Sequence, residues 1–171
     1  NEPMLQRIIL ILLSILSLQA CSKNKEIEYE SQNNIDPYKV YKEGYEAFER
    51  GDYFFANKKF SEAELNFDVV EHAAKAAIMS SYALYGISFY DESIENLKRY
   101  IKKYPADKNI MYAHYLFAII YYEQISDEKK DLQPLLKATE KIDFFVNKYP
   151  DSDYAIDLKF KKDLIQNQLA A

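Results

Sequence analysis

The feature that most constrains the fold is a pair of apolar stripes with helical spacing, separated by two turn-forming residues. The first stripe places apolar or small residues at positions i, i+3, i+4 and i+7, which lie on one face of an α-helix. The stripe consists of Tyr41, Gly44, Tyr45 and Phe48. Gly51-Asp52 interrupts the pattern, and the second stripe consists of Tyr53, Ala56, Phe60, Ala63 and Phe67. Two helices joined by so short a turn predict a helical hairpin.

The composition favours an all-α fold. The chain has only 3 Gly and 5 Pro in 171 residues, which argues against a β-fold rich in tight turns. One cysteine cannot form an internal disulfide, so side-chain packing must hold the fold together. A net charge of −5 gives no reason to expect nucleic acid, which basic patches bind. We therefore predict an all-α protein with no nucleic-acid partner.

The first hairpin resembles a tetratricopeptide repeat, because small residues and aromatics alternate around a Gly-Asp-Tyr turn. We place units at about 37–68, 73–105 and 110–150, and both of the later units end in Tyr-Pro. Ser88 takes the position of the turn glycine in the second unit, and the third contains a charged insertion from Ile125 to Leu135. The prediction is a tetratricopeptide-like superhelix of antiparallel helix pairs.

An incomplete fourth unit begins at residue 152, so the predicted repeat domain covers 37–171. Ser152 can cap its helix, whose apolar face is formed by Ala155, Leu158, Ile165 and Leu169. Repeat arrays ordinarily close with a polar capping helix, and no partner helix follows here. We expect that this face lacks a partner, that the last helix frays, and that the chain stops within a unit.

The N-terminal segment has the features of an export signal. Arg7 precedes an apolar run of about 11 residues, Ile8 to Leu18, which is shorter than the roughly 20 residues that span a bilayer. The run ends in Leu-Gln-Ala-Cys, which resembles the lipobox of bacterial lipoproteins. The resemblance implies that residues 1–20 are a signal peptide and that Cys21 carries the acyl chains. Residues 21–36 are then a flexible tether. The alternative is a buried core helix with an inert cysteine.

The sequence contains no recognisable catalytic or metal-binding motif. There is no phosphate-binding glycine loop, no paired-histidine zinc motif, and no second cysteine. His72 and His114 are the only histidines, and we interpret His114 as a core residue of an almost uniformly apolar helix. We predict that the chain is not an enzyme and needs no cofactor or metal.

The order of these features resembles the BamD family, lipoproteins of the outer-membrane β-barrel assembly machinery. The strongest local likeness is Lys-Tyr-Pro-Asp-Ser-Asp-Tyr-Ala at 148–155, and the resemblance covers about 36–171. It implies a scaffold anchored by lipid to the periplasmic face of the outer membrane. The implied partners are β-barrel assembly subunits of the BamA type and unfolded outer-membrane proteins. Two alternatives are a repeat lipoprotein of another envelope system, of the pilotin or Tol–Pal type, and a solute-binding or enzymatic lipoprotein.

A row of aromatic and aliphatic residues is predicted on the concave side of the superhelix, which the first helix of each unit lines. These residues are Tyr38, Tyr41, Tyr45, Phe48, Ile78, Tyr82, Tyr85, Tyr112, Tyr115, Ile119 and Tyr122. Rigid rings with polar tips suit an extended peptide. The family resemblance implies that this peptide is the aromatic-ended C-terminal signal of an unfolded outer-membrane protein. The alternative is that the rings only pack one hairpin against the next.

Overall fold

Seven α-helices make up most of the residues that the computed structural model describes, which are 34–125 and 132–170. In chain order they are α1 (Pro37–Glu49), α2 (Tyr53–Asn66), α3 (Val70–Gly86), α4 (Tyr90–Lys103), α5 (Ile110–Glu123), α6 (Gln133–Lys148) and α7 (Asp153–Ala170). These two stretches contain no strand, and successive helices contact one another. The predicted all-α class is confirmed.

Several predictions concern residues outside the part of the chain described here. The predicted signal peptide at 1–20, Cys21 and most of the tether at 21–36 belong to this group. Within 34–125 and 132–170, no helix has both the length and the apolar character needed to cross a membrane.

The α1–α2 hairpin follows from its capping residues and one glycine. The carboxylate of Asp36 accepts hydrogen bonds from the backbone N–H groups of the first turn of α1, and Pro37 opens that helix. Gly51 has a positive φ of 79° in the turn, and Asp52 then caps α2. The predicted break at Gly51-Asp52 is therefore confirmed.

The α3–α4 turn repeats the backbone geometry of the first turn with serine in place of glycine. The Gly51 N–H donates to the carbonyl of Phe48 at 3.0 Å, and the Ser88 N–H donates to the carbonyl of Tyr85 at 2.9 Å. Ser88 has a φ of 60°, a left-handed conformation that costs an L-residue roughly 1–2 kcal/mol. The predicted equivalence of Ser88 to the turn glycine is thus visible in the backbone.

The core consists of successive apolar clusters between hairpins. One cluster joins α3, α4 and α5 and includes the fully buried Leu97, Tyr100 and Ile120. A second joins α5, α6 and α7 around Phe145. A third, around Phe60, joins α1, α2 and α3. Each cluster therefore combines both helices of one hairpin with a helix of the next unit.

The predicted charged insertion is shorter at its C-terminal end than expected. Gln133, Pro134 and Leu135 belong to α6, because proline is tolerated in the first turn of a helix, where its missing N–H has no intrahelical partner. The other end of the prediction, at Ile125, lies two residues after the last residue of α5.

The prediction that the face of α7 lacks a partner is wrong for three of its four residues. Ala155, Leu158 and Ile165 are buried in the cluster around Phe145, so α6 and α5 supply the partner surface. Only Leu169, 54% exposed, is open. The predicted cap is confirmed, because the Ser152 hydroxyl accepts a hydrogen bond from the backbone N–H of the third helical residue at 3.2 Å.

Candidate functional site

Five aromatic rings form a continuous row across the helical domain, which we call the aromatic row. It consists of Phe48, Tyr82, Tyr112, Tyr115 and Tyr154. The ring centroids of Phe48 and Tyr82 are 5.3 Å apart, and those of Tyr82 and Tyr112 are 6.2 Å apart. Tyr154 closes the row, with its ring 6.2 Å from Tyr112 and 4.4 Å from Tyr115.

The row is built from alternate helices. Phe48 lies on α1, Tyr82 on α3, Tyr112 on α5 and Tyr154 on α7, so the first helix of every predicted unit contributes a ring. All five side chains are half-buried. Each ring therefore packs against a neighbouring helix and still leaves part of its surface open to solvent.

Two tyrosines of the row, Tyr112 and Tyr115, have a raised pKa. Burial raises the pKa of Tyr112, and the neighbouring tyrosines raise it further. Burial also raises the pKa of Tyr115, whose hydroxyl donates a hydrogen bond to the Asp157 carboxylate at 2.6 Å. The carboxylate is held in place by Lys161 at 3.0 Å. The hydroxyls of Tyr112 and Tyr115 are thus neutral at pH 7, and a neutral phenol can both donate and accept hydrogen bonds.

The predicted residue Tyr85 lies beside this row. Its ring stacks on Tyr82 at 6.1 Å with an interplanar angle of 13°. Burial raises the pKa of Tyr85, and the nearby Glu123 raises it further. The predicted residues Phe48, Tyr82, Tyr85, Tyr112 and Tyr115 therefore lie together.

The predicted tyrosines of α1 lie apart from the row. The ring of Tyr38 meets Phe67 edge-on at 5.1 Å, and its hydroxyl lies 3.1 Å from Nδ1 of His72. Tyr41 packs between Phe60 and Phe67, and burial raises its pKa. These contacts join α1 to α2 and to the start of α3.

Tyr45 and Tyr122 lie at separate places. Tyr45 is 44% exposed, and a hydrogen bond with Glu49 raises the pKa of its phenol. The ring of Tyr122, near the end of α5, faces the ammonium of Lys161 at 5.3 Å. Both side chains can meet a ligand only if it extends beyond the aromatic row.

A surface role for Ile78 and Ile119 is not supported. They are 4% and 8% exposed, and each belongs to a core cluster. The physical reason is that aliphatic side chains on the first helices point between the hairpins, whereas the longer tyrosines reach past them to solvent. We leave these two residues out of the candidate surface.

Tyr154 was missed as a candidate ligand contact, although the sequence contains a signal for it. Tyr112 and Tyr154 each open a Tyr-Ala-x-x-Leu pattern at the start of a helix, ending at Leu116 and Leu158. In both helices the Ala and Leu are buried, so the tyrosine falls at the same position relative to the core. Within 34–125 and 132–170, no three His, Cys, Asp or Glu side chains are placed to hold a metal ion.

Comparison with known proteins identifies the family. The model of the YfiO family, described as outer membrane lipoprotein, matches residues 33–171. Outer membrane protein assembly factor BamD of Caulobacter vibrioides is 31% identical over 163 residues, which cover 95% of this chain and 52% of the relative. The BamD of Rickettsia prowazekii is 30% identical over 156 residues, which cover 91% of this chain and 61% of the relative.

The chain thus matches between 52% and 61% of the length of these two relatives. A more distant BamD, from Xylella fastidiosa, is 20% identical over 171 residues, which cover 94% of this chain and 58% of the relative. YfiO and BamD proteins form a tetratricopeptide-like helical family, and the predicted tetratricopeptide-like architecture is confirmed with it. The chain belongs to the YfiO outer membrane lipoprotein family, which includes the BamD assembly factors.

Proposed function

We propose that this protein is a scaffold for the assembly of outer-membrane β-barrel proteins. The observation that carries the proposal is the family match over 33–171, together with relatives named outer membrane protein assembly factor at 30% and 31% identity. BamD-family assembly factors are non-enzymatic scaffolds, and the prediction that the chain is not an enzyme is confirmed with its family.

The proposed location is the periplasmic face of the outer membrane, with acyl chains on Cys21 as the anchor. The support is the family description together with the lipobox-like sequence before Cys21. Each buried methylene of an acyl chain contributes about 0.8 kcal/mol, and stable anchoring needs more than one chain. A lipidated, doubly or triply acylated cysteine meets that requirement.

The proposed role of the aromatic row is to hold an extended segment of an unfolded outer-membrane protein. An extended chain rises about 3.3 Å per residue, so side chains on one of its faces repeat at about 6.6 Å. The ring spacings from Phe48 through Tyr82 and Tyr112 to Tyr154 are 5.3, 6.2 and 6.2 Å. One ring of the row is therefore available for each side chain on the face of the segment that meets the row.

The competing role is packing alone, and half-burial of the rings is compatible with it. The two roles differ in what happens when ring area is lost but aliphatic volume is kept. A leucine at position 82 and at position 112 can still fill the space between hairpins, yet it offers neither a flat face nor a hydroxyl to a ligand.

The test is binding of a labelled peptide with the sequence of a C-terminal outer-membrane barrel strand, measured by fluorescence anisotropy. Tyr82→Leu combined with Tyr112→Leu should weaken binding at least tenfold, about 1.4 kcal/mol, with a similar melting temperature. Phe54→Leu is the matched control, because Phe54 is an exposed ring on α2, outside the row. Undiminished affinity in the double variant would leave packing as the only role of the row.

The proposed partners are further subunits of the β-barrel assembly machinery, of the BamA type. The protein is isolated from membranes in a mild detergent, and co-purifying proteins are identified by mass spectrometry. Recovery of a β-barrel assembly subunit supports the scaffold function. Recovery only of subunits from another envelope system would contradict it.

A further inference from the structure

A pocket of about 320 Å³ opens between α4, α5 and α6. Its apolar floor is formed by Ile101, His114, Phe117 and Phe144. Lys98, Lys102 and Lys141 also line it, and the ammonium group of Lys148 lies over the ring of Phe144. We call these eight residues the basic pocket.

Lysine ammonium groups already lie over two aromatic rings of the floor. The Nζ atom of Lys141 is 5.0 Å from the ring centroid of Phe117, and that of Lys148 is 5.5 Å from the centroid of Phe144. The His114 ring lies 5.0 Å from Phe144. Burial lowers the pKa of His114, and the charges of Lys148 and Lys141 lower it further, so the imidazole is neutral at pH 7.

The charge of this pocket is opposite to that of the chain as a whole, which has a formal net charge of −5. Lys98 is paired with Glu95 at 2.7 Å, and Lys141 shares Glu140 with another lysine. Among the residues that the structure describes, Lys102 and Lys148 have no carboxylate partner within 4.0 Å. Two positive charges therefore stand beside an apolar floor without local neutralisation.

The basic pocket is separate from the aromatic row. An α-helix turns about 100° per residue, which puts His114 and Phe117 on the opposite side of α5 from Tyr112 and Tyr115. A ligand in the pocket would not compete with one on the row.

We infer that the basic pocket is a docking site for an acidic, extended segment of another protein. One aromatic side chain of that segment enters the pocket against Phe144 and His114. Carboxylates on either side of it pair with Lys102 and Lys148. The charge complementarity comes from the two lysines that lack a local partner, and the aromatic preference comes from the ring-lined floor.

A protein segment fits this site better than a lipid surface does. Within the floor of the pocket, Phe117 is recessed and only 5% exposed, while Phe144 is 45% exposed. A side chain that enters between α4 and α6 can contact both rings. A flat layer of headgroups would meet the lysine ammonium groups and leave the recessed floor unused.

The experiment measures binding of a fluorescein-labelled peptide, Glu-Asp-Glu-Phe-Glu-Asp-Glu, to the full chain by anisotropy. Wild-type protein should bind it, and the same peptide with Ala in place of Phe should bind at least tenfold more weakly. Lys102→Glu combined with Lys148→Glu should also weaken binding at least tenfold. The affinity should fall as salt is added, because surface charges are screened.

The matched control reverses two exposed lysines of the first hairpin, Lys39→Glu with Lys58→Glu, which changes the net charge by the same amount. This control should bind like wild type, and circular dichroism melting should show that both double variants fold. Phe144→Ala, at a partly exposed position, gives a second variant that should weaken binding without unfolding the chain.

Three outcomes would overturn the proposal. The first is no binding of the phenylalanine peptide at concentrations up to about 1 mM, a very weak affinity. The second is an equal loss in the pocket and control variants, which would reduce the effect to net charge. The third is Lys102- and Lys148-dependent binding of phosphatidylglycerol vesicles with no such dependence for the peptide, which would make the site a lipid contact.

Discussion

Arg99 on α4 donates two hydrogen bonds of 2.6 Å to Glu64 on α2, one to each carboxylate oxygen. The hydroxyl of Tyr104 donates a third at 2.8 Å, and Lys103 lies 3.4 Å away. The Glu64 side chain is almost wholly buried, whereas that of Arg99 is partly open to solvent. This fork joins the first hairpin to the second through polar contacts.

Glu64→Gln is therefore expected to destabilise the chain. The variant loses the charge that Arg99 and Tyr104 bind, and hydrogen bonds to charged groups contribute about 1.5–3 kcal/mol each. Solvation of the exposed part of Arg99 reduces the loss, so we expect a decrease of about 1–3 kcal/mol in the free energy of unfolding. Glu62→Gln, at a more exposed site, is the control and should change it by less than about 0.5 kcal/mol.

The loss of stability caused by Glu64→Gln should depend on pH. Burial alone would raise the pKa of Glu64, but Arg99, Tyr104 and Lys103 outweigh it and lower the pKa below its usual value of 4.5. A carboxyl with a lowered folded pKa stabilises fully above its unfolded pKa and loses that contribution as the pH falls through the folded value. Urea titrations should show a constant difference between wild type and Glu64→Gln above pH 5.5 and a shrinking one below about 4.5. A difference that grows on acidification would contradict the assignment.

Gly44→Ala tests the close approach of α1 and α2. A Cβ atom on Gly44 would lie 3.0 Å from the Phe60 ring and 3.1 Å from Cβ of Lys59. Overpacking costs about 1–3 kcal/mol, against a gain of about 1 kcal/mol in helix propensity. We expect a net loss of about 1 kcal/mol in the free energy of unfolding by urea denaturation. Lys42→Ala, at an exposed position of the same helix, is the control, and a stabilised Gly44→Ala variant would show that the helices can separate at low cost.

Single substitutions in the two equivalent turns should change the stability of the chain in opposite directions. Ser88→Gly should stabilise the chain by a few tenths to about 1 kcal/mol, because glycine adopts a positive φ without steric cost. Gly51→Ala should destabilise it by about 1 kcal/mol, even though no atom lies within 4 Å of the added Cβ. Thermal melting of the two single variants and the wild type measures both. A change of the same sign in both turns would mean that their conformations differ.

Cys21→Ser tests the proposed anchor in a Gram-negative host. The variant should move from the membrane fraction to the soluble periplasmic fraction, because a hydroxyl cannot receive the thioether-linked acyl chains. Incorporation of labelled palmitate should be lost, while Ser22→Ala should keep both the label and the membrane association. Continued palmitate labelling of Cys21→Ser would remove Cys21 as the lipidated residue.

Helical periodicity was enough to predict the class of fold and the first turn. The stripe of α1, the Gly51 break and the serine at 88 depend on local backbone preferences, which a short window of sequence contains. The fork between Glu64 and Arg99 was not foreseen, because the two residues are 35 positions apart in the chain. Such a contact depends on how one hairpin is rotated against the next.

The candidate site was predicted in part for the same reason. Periodicity assigns Tyr82 and Ile78 to one helix face but says nothing about depth, and only Tyr82 reaches the surface row. Tyr154 joins the row because α7 docks on α5 and α6, which the expectation of an unpartnered last helix did not allow. The faces of single helices follow from local spacing, whereas the depth of each side chain follows from packing between hairpins.

The aromatic row also has an optical consequence. The chain contains 16 tyrosines and no tryptophan, so a ligand peptide with one tryptophan would carry the only indole in the mixture. Ultraviolet excitation absorbed by the closely spaced rings from Phe48 to Tyr154 would pass to that indole and emerge as tryptophan emission. The transfer falls steeply with distance, so tryptophan emission excited through tyrosine would report how near the indole of a bound peptide lies to these rings. The protein therefore carries its own set of donor fluorophores for locating a bound segment without any attached dye.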